Sequence, residues 1–130
     1  MDSIDSQILK ALKSDGRKPF VEIAKETGLT EGAIRARIKK LTSSGIIKKF
    51  TVDTSETVSA IVMVATSKSV TSDVAGAIKK LGINEVYEVS GNFDIICFIT
   101  AETMDKVNSM IDAIRALEGV ADTSTNMVLK

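Results

Sequence analysis

The stretch FVEIAKETGLTEGAIRARIKKLTSSGIIKKF, residues 20–50, reads as two short helices joined by a tight turn. Ile23 and Ala24 belong to the first helix, Gly28 ends it, Leu29 plugs the turn, and Thr30 caps the helix that follows. Two helices that cross steeply need a small residue where they touch, which Ala24 supplies. They also need a residue tolerant of left-handed geometry between them, which Gly28 supplies. At about 100° per residue, Ile34, Ile38 and Leu41 fall on one side of the second helix. Gly32, Arg35, Ala36, Lys39 and Ser43 fall on the other. A face both small and basic suits close approach to a groove wall and its phosphates, so the segment reads as a helix-turn-helix.

Charge supports that reading. The 130 residues are neutral as a whole, with 17 Lys and Arg against 17 Asp and Glu. The halves are opposites: residues 1–50 hold 11 basic and 6 acidic side chains, residues 51–130 hold 6 and 11. Between Glu31 and Lys49 six basic residues (Arg35, Arg37, Lys39, Lys40, Lys48, Lys49) meet one acid. An ordinary solvated helix is the competing explanation, but solvated helices commonly mix both signs. So one-sided a run favours phosphate binding.

Other classes of function recede. There is no histidine, which removes the commonest general base and the commonest transition-metal ligand. HExxH, a CxxC pair, a Walker loop and a GxGxxG turn are missing too. No catalytic residue, metal or cofactor is expected. The one cysteine, Cys97, lies in the apolar run DIICFIT and reads as a buried strand thiol. No run reaches the roughly 18 apolar residues of a membrane span. The opening MDSIDSQILKALKSDG is acidic-polar and amphipathic, unlike a signal sequence. A cytoplasmic protein with no membrane partner is expected.

The rest of the chain falls into place around the opening motif. Ile4, Ile8, Leu9 and Leu12 predict a helix over 3–14, ended by Asp15 and Gly16, and Pro19 opens the next. The third runs about 31–43 and stops at Ser44 and Gly45. Residues 46–52, IIKKFTV, alternate imperfectly and predict a wing or hinge strand that carries Lys48 and Lys49 to the DNA backbone.

From residue 58 the pattern becomes β-α-β-β-α-β. Strands are predicted at 58–66, 85–91, 93–100 and 119–129, with Asn92 in a tight turn. Helices are predicted at 72–82, with Val74, Ala77, Ile78 and Leu81 inward, and at 103–117, with Val107, Met110, Ile111, Ile114 and Leu117 inward. The fold class is therefore α+β: a winged helix-turn-helix domain over 1–50, a hinge over 51–57, and a ferredoxin-like βαββαβ domain over 58–130. Helices cover one face of such a sheet. Ile61, Met63, Val86, Cys97 and Val128 are apolar candidates for its two faces, and a dimer packed sheet against sheet is expected.

Helix-turn-helix, wing and βαββαβ domain in this order resemble the leucine-responsive and asparagine regulators of bacteria and archaea, the Lrp/AsnC or feast/famine family. IDSQILKALKSDGR (4–17), the opening stretch (20–50), VYEVSGNFDI (86–95) and GVADTST (119–125) carry the likeness, and RIKKLTSSGIIKKFTV and AIVMV look most like archaeal members that regulate amino-acid metabolism. The resemblance implies a transcription regulator that is no enzyme, with the helix at 31–43 in the major groove of double-stranded DNA. Thr30 and Glu31 then lie at its start, Gly32, Arg35, Ala36 and Lys39 face the DNA, with Arg35 and Lys39 on base edges or phosphates, and Arg37, Lys40, Lys48 and Lys49 meet phosphates or the rim. For Arg37 an internal salt bridge to Glu26 or Asp15 is the alternative.

The resemblance also implies a small effector, an amino acid, bound between dimers that assemble into tetramers or octamers. The matching positions are Ser90, Gly91, Asn92, Phe93 and Asp94, with Asp122, Thr123 and Thr125 on the last strand. Turn amides would hold a carboxylate and Asp94 an α-ammonium group. Asn and Asp also make good turns for their own sake, so a plain hairpin is the other reading. Asp122 invites a basic ligand, or is simply an exposed edge carboxylate. Two further functions compete. An architectural chromatin-like protein would share the phosphate contacts. A haem-pathway decarboxylase on the same scaffold would need basic side chains and histidine, whereas residues 58–130 offer only Arg115 besides their lysines.

Overall fold

The computed structural model describes residues 1–67 and 69–129, which form two compact units, one over Met1–Asp53 and one from Thr54 onward. The first holds three helices: α1 (Ser3–Ser14), α2 (Phe20–Thr27) and α3 (Glu31–Ser43). Asp2 and Asp5 form a reciprocal capping box at the start of α1, each carboxylate accepting from the other's backbone N–H, at 2.9 and 3.2 Å. Pro19 precedes α2, and Gly28 closes it at φ 72°, a left-handed conformation that a side chain would oppose. Thr30 then caps α3 by accepting from the Ala33 amide at 3.2 Å.

Ile8, Ile23, Ala24, Ile34, Ile38 and Leu41 make the core of this unit, with Ile4, Leu12, Phe20, Leu29 and Ile47 against it. Ile8, Ile23 and Ile34 are fully buried. Each such burial contributes about 1.5–3 kcal/mol, more than an exposed ion pair of the same unit supplies. The helix-turn-helix is thus held by its apolar stripe.

The predicted wing is not formed. No strand occurs between α3 and residue 58, and residues 48–54 have no regular structure. Only the start of the segment is tied down, where the Ile47 amide donates to the Leu41 carbonyl at 3.0 Å. The alternation in IIKKFTV offers no neighbouring strand to pair with and no face to bury: Ile46, Phe50 and Val52 are exposed.

The second unit comprises β1 (Val58–Thr66), α4 (Thr71–Lys80), β2 (Glu85–Glu88), β3 (Ile95–Ala101), α5 (Met104–Arg115) and β4 (Val120–Met127). Its four strands lie in the order β2-β3-β1-β4, all neighbours antiparallel, the ferredoxin-like arrangement. Ala60, Val62, Val64, Val86, Ile95, Cys97 and Ile99 turn toward Val74, Ala75, Ile78, Val107, Ile111 and Ile114 of the helices. Burial pushes the Cys97 thiol up to about 11, which keeps it protonated and unreactive.

Strand alternation puts Ile61, Met63, Tyr87, Ile96 and Phe98 on the opposite face. Tyr87 and Phe98 meet there edge to face, ring centroids 6.2 Å apart. Three sequence expectations change. Leu81 caps α4 and is exposed, while Ile83 beyond it is buried. Ala77 is only partly buried, Ala75 taking the inner position. The strands around Asn92 stop at Glu88 and resume at Ile95, so a six-residue loop replaces the tight turn.

Candidate nucleic-acid interface

The outward face of α3 is built as its periodicity requires. With Ile34, Ile38 and Leu41 buried, Glu31, Gly32, Arg35, Ala36, Lys39, Lys40 and Ser43 are exposed. Arg35 is held twice. Its Nη2 donates to Glu31 Oε1 one turn earlier at 3.0 Å, and its guanidinium carbon lies 5.1 Å from the centre of the Phe20 ring. Lys39, Lys40, Lys48 and Lys49 are exposed and form no ion pair among the described residues. Thr30 spends its oxygen on the cap.

Arg37 points elsewhere. Its Nη1 donates to Asp2 at 2.7 Å and to Asp5 at 3.1 Å, joining α3 to the start of α1. The internal salt bridge therefore exists, with partners other than Glu26, which pairs with Lys18, and other than Asp15. The Arg37 hydrogen bond, helped by the Asp5 amide, holds the Asp2 carboxyl down at about 2.

Gly32 is informative for what it does not touch. A Cβ built there meets no protein atom within 4 Å, and its backbone lies outside the left-handed region. Glycine costs helix stability, and nothing inside this unit requires it here.

In the second unit, the loop after β2 is closed by the Val89 amide donating to the Asp94 carbonyl at 2.9 Å. Asp94 then ties the loop to β1: its amide donates to the Val64 carbonyl at 2.9 Å, and its Oδ2 accepts from the Thr66 amide at 2.8 Å. Gly91 has φ 135°, so the loop's own conformation calls for glycine. Ser90, Gly91 and Asn92 are exposed, and Phe93 and Asp94 partly buried.

The β4 positions divide. Asp122, opposite Ala65, shares the face that carries Met63, whereas Thr123 and Thr125, opposite Val64 and Val62, share the helix-covered face. Thr123 Oγ1 accepts from Arg115 Nε at 3.1 Å, and Thr125 Oγ1 is buried with no partner among the described residues. Val64 pairs with both Ile95 and Thr123, so Asp94 and Thr123 flank one end of β1 from opposite sides, about two strand spacings or 10 Å apart.

Comparison with known proteins matches both units. Residues 1–42 match the AsnC-type helix-turn-helix domain, and residues 59–130 match the Lrp/AsnC ligand binding domain. The chain belongs to the Lrp/AsnC family. Over its whole length it is 38% identical to the HTH-type transcriptional regulator LysM of Sulfurisphaera tokodaii, covering 96% of that protein. It is 39% identical to the HTH-type transcriptional regulator FL11 of Pyrococcus horikoshii, covering 90%. Among solved structures, the Neisseria meningitidis transcriptional regulator NMB0573 in complex with L-methionine has the same fold: TM-score 0.78 and 23% identity, over all of this chain and 90% of that one.

Within this Lrp/AsnC chain, two parts of the α3 surface escape sequence reasoning. Asp2 and Asp5 lie 35 and 32 positions from Arg37, and their spacing announces only a helix cap. Phe20 lies 15 positions before Arg35. Its one signal is that it is the only aromatic residue before Phe50, placed at the first turn of the helix that crosses α3.

Proposed function

We propose that this Lrp/AsnC chain is a sequence-specific regulator of transcription that binds double-stranded DNA through α3 and answers to an amino acid. The observation that carries the first part is the α3 face itself: Gly32, Arg35, Ala36 and Lys39 exposed together, opposite the buried Ile34, Ile38 and Leu41. Arg35 and Lys39 read base edges. Lys40, Lys48 and Lys49 meet phosphates, and Thr30 and Glu31 stand at the groove's edge. Arg37 serves the fold through Asp2 and Asp5, with at most a rim contact. Such a regulator works in the cytoplasm and performs no catalysis.

The second unit supplies assembly and effector response. Its apolar face with Tyr87, Phe98, Ile61 and Met63 covers the same face of a second copy, which presents two recognition helices to one duplex. Larger rings, tetramers or octamers, bring the loop at Ser90–Asp94 and the β4 positions Asp122, Thr123 and Thr125 of different subunits toward one effector. The amides of Ser90, Gly91 and Asn92 donate to no protein acceptor among the described residues, which supports a carboxylate there. The L-methionine held by the Neisseria regulator supports an amino acid as the class of ligand. Binding of a selected duplex against a random one at fixed salt tests the reading. Strong preference is expected, and equal affinity means an architectural protein instead.

A further inference from the structure

Arg35 is an exposed side chain, yet it is not a loose one. Glu31 takes its Nη2, and the Phe20 ring of the neighbouring helix lies beside the guanidinium, 5.1 Å from its central carbon. A guanidinium presents all five donors in one plane. The ring gives the guanidinium an apolar neighbour and the carboxylate takes one of its N–H groups. Glu31 takes one of the two Nη2 hydrogens, and neither Nε nor Nη1 forms a hydrogen bond among the described residues, so one of the two paired edges, Nε with Nη2 or Nη1 with Nη2, stays open. Paired donors lying side by side are what recognition of guanine O6 and N7 requires.

Phe20 itself is partly buried, packed against the core of the first unit and fixed just after Pro19. It is therefore a rigid support, whereas an arginine without one would lose rotamer freedom on meeting DNA. The geometry points to Phe20 as a positioning residue for base recognition: its ring, with Glu31, sets the Arg35 guanidinium in advance for the edge of a guanine. This rests on the proposed reading of α3. It adds that one specificity determinant lies on α2, on a residue that touches no base.

The test uses the full chain and a duplex obtained by selection from random sequence, with each G·C pair replaced in turn. Phe20→Leu keeps apolar bulk against the core and removes the ring; Phe20→Tyr keeps the ring. Phe20→Leu is expected to weaken the selected duplex about two- to fivefold, the scale of an exposed cation–π contact. The loss falls at the same G·C pair that Arg35→Ala ceases to discriminate. Affinity for random duplex and salt dependence stay at wild-type values, and any fall in melting temperature reflects only the packing lost against the core. Phe20→Tyr restores binding, and Phe20→Leu adds nothing in the Arg35→Ala background.

Equal weakening of selected and random duplex by Phe20→Leu would overturn the positioning role, as would a loss that persists without Arg35. So would discrimination unchanged in Phe20→Leu while Arg35→Ala loses it; that result leaves the α3 reading standing. Discrimination unchanged in Arg35→Ala overturns both.

Discussion

Arg37 and Asp2, 35 residues apart in sequence, share two short hydrogen bonds, at 2.7 and 2.9 Å, that fasten α3 to the start of α1. A titration follows from this pair. Because Asp2 has its folded value lowered from 3.8 to about 2, its carboxylate stabilises the fold fully above pH 4. That contribution fades as the pH falls through the range from 4 to 2. Asparagine caps helices as well as aspartate does, so Asp2→Asn removes chiefly the charge. Unfolding curves should show the variant less stable at neutral pH, with the difference shrinking through the range from 4 to 2 and closing below it.

Gly32→Ala should raise stability and lower function together. The new methyl group meets nothing in the protein and improves helix propensity by up to about 1 kcal/mol. On DNA the same methyl stands between α3 and the groove. A higher melting temperature with weaker operator binding is expected; unimpaired binding would mean that this face looks away from DNA.

The basic residues should separate into two kinds. Arg35→Ala and Lys39→Ala should cost about 1–3 kcal/mol on the selected duplex and relax its sequence preference. Lys48→Ala and Lys49→Ala should weaken every duplex alike and lower the salt slope by about one each. Filter binding over a series of salt concentrations measures both.

Asp94 ties its loop to β1 and is proposed to hold the effector, and different substitutions separate the two. Asp94→Ala leaves the Thr66 amide without its carboxylate acceptor and should destabilise the second unit by about 1.5–3 kcal/mol. Asp94→Asn keeps an oxygen for that amide but offers none of the charge an ammonium group needs. Its melting temperature should stay near wild type, while the rise that an amino acid gives wild type disappears. A full ligand response in Asp94→Asn would move the effector away from this loop.

Phe98 is 41% exposed on the sheet face away from the helices, beside Ile61, Ile96 and Tyr87. Phe98→Glu puts a charge where a second copy is proposed to pack, and that charge has no partner there. Sedimentation should show the wild type associated and this variant monomeric at micromolar concentration. DNA affinity should fall with it, since one recognition helix then binds alone.

What the sequence disclosed and what it concealed follow from the range of the forces involved. Ile34, Ile38 and Leu41 repeat at the helical period, and Gly28 marks a left-handed cap, so the helix-turn-helix was legible from neighbours alone. The order of strands and helices in the second unit was legible for the same reason. The wing at 46–52 was misread because alternation shows what a strand would look like, and nothing about whether another strand stands beside it. The loop at Asn92 was drawn too tight because the Asp94 carboxylate is claimed by Thr66, 28 residues earlier. Arg37, read as a contact to DNA or to Glu26 or Asp15, belongs to Asp2 and Asp5, and Phe20 meets Arg35 only once α2 crosses α3. Pairings between distant polar side chains leave no period behind.

The chain's only cysteine stands in the core of the second unit, and the first has none. A thiol reagent therefore meets Cys97 only when that unit opens, and the rate of labelling clocks its opening while the DNA-binding helices pass unseen. The chain carries a built-in chemical timer for one of its halves, and an effector bound to that half would be recorded as a slower clock.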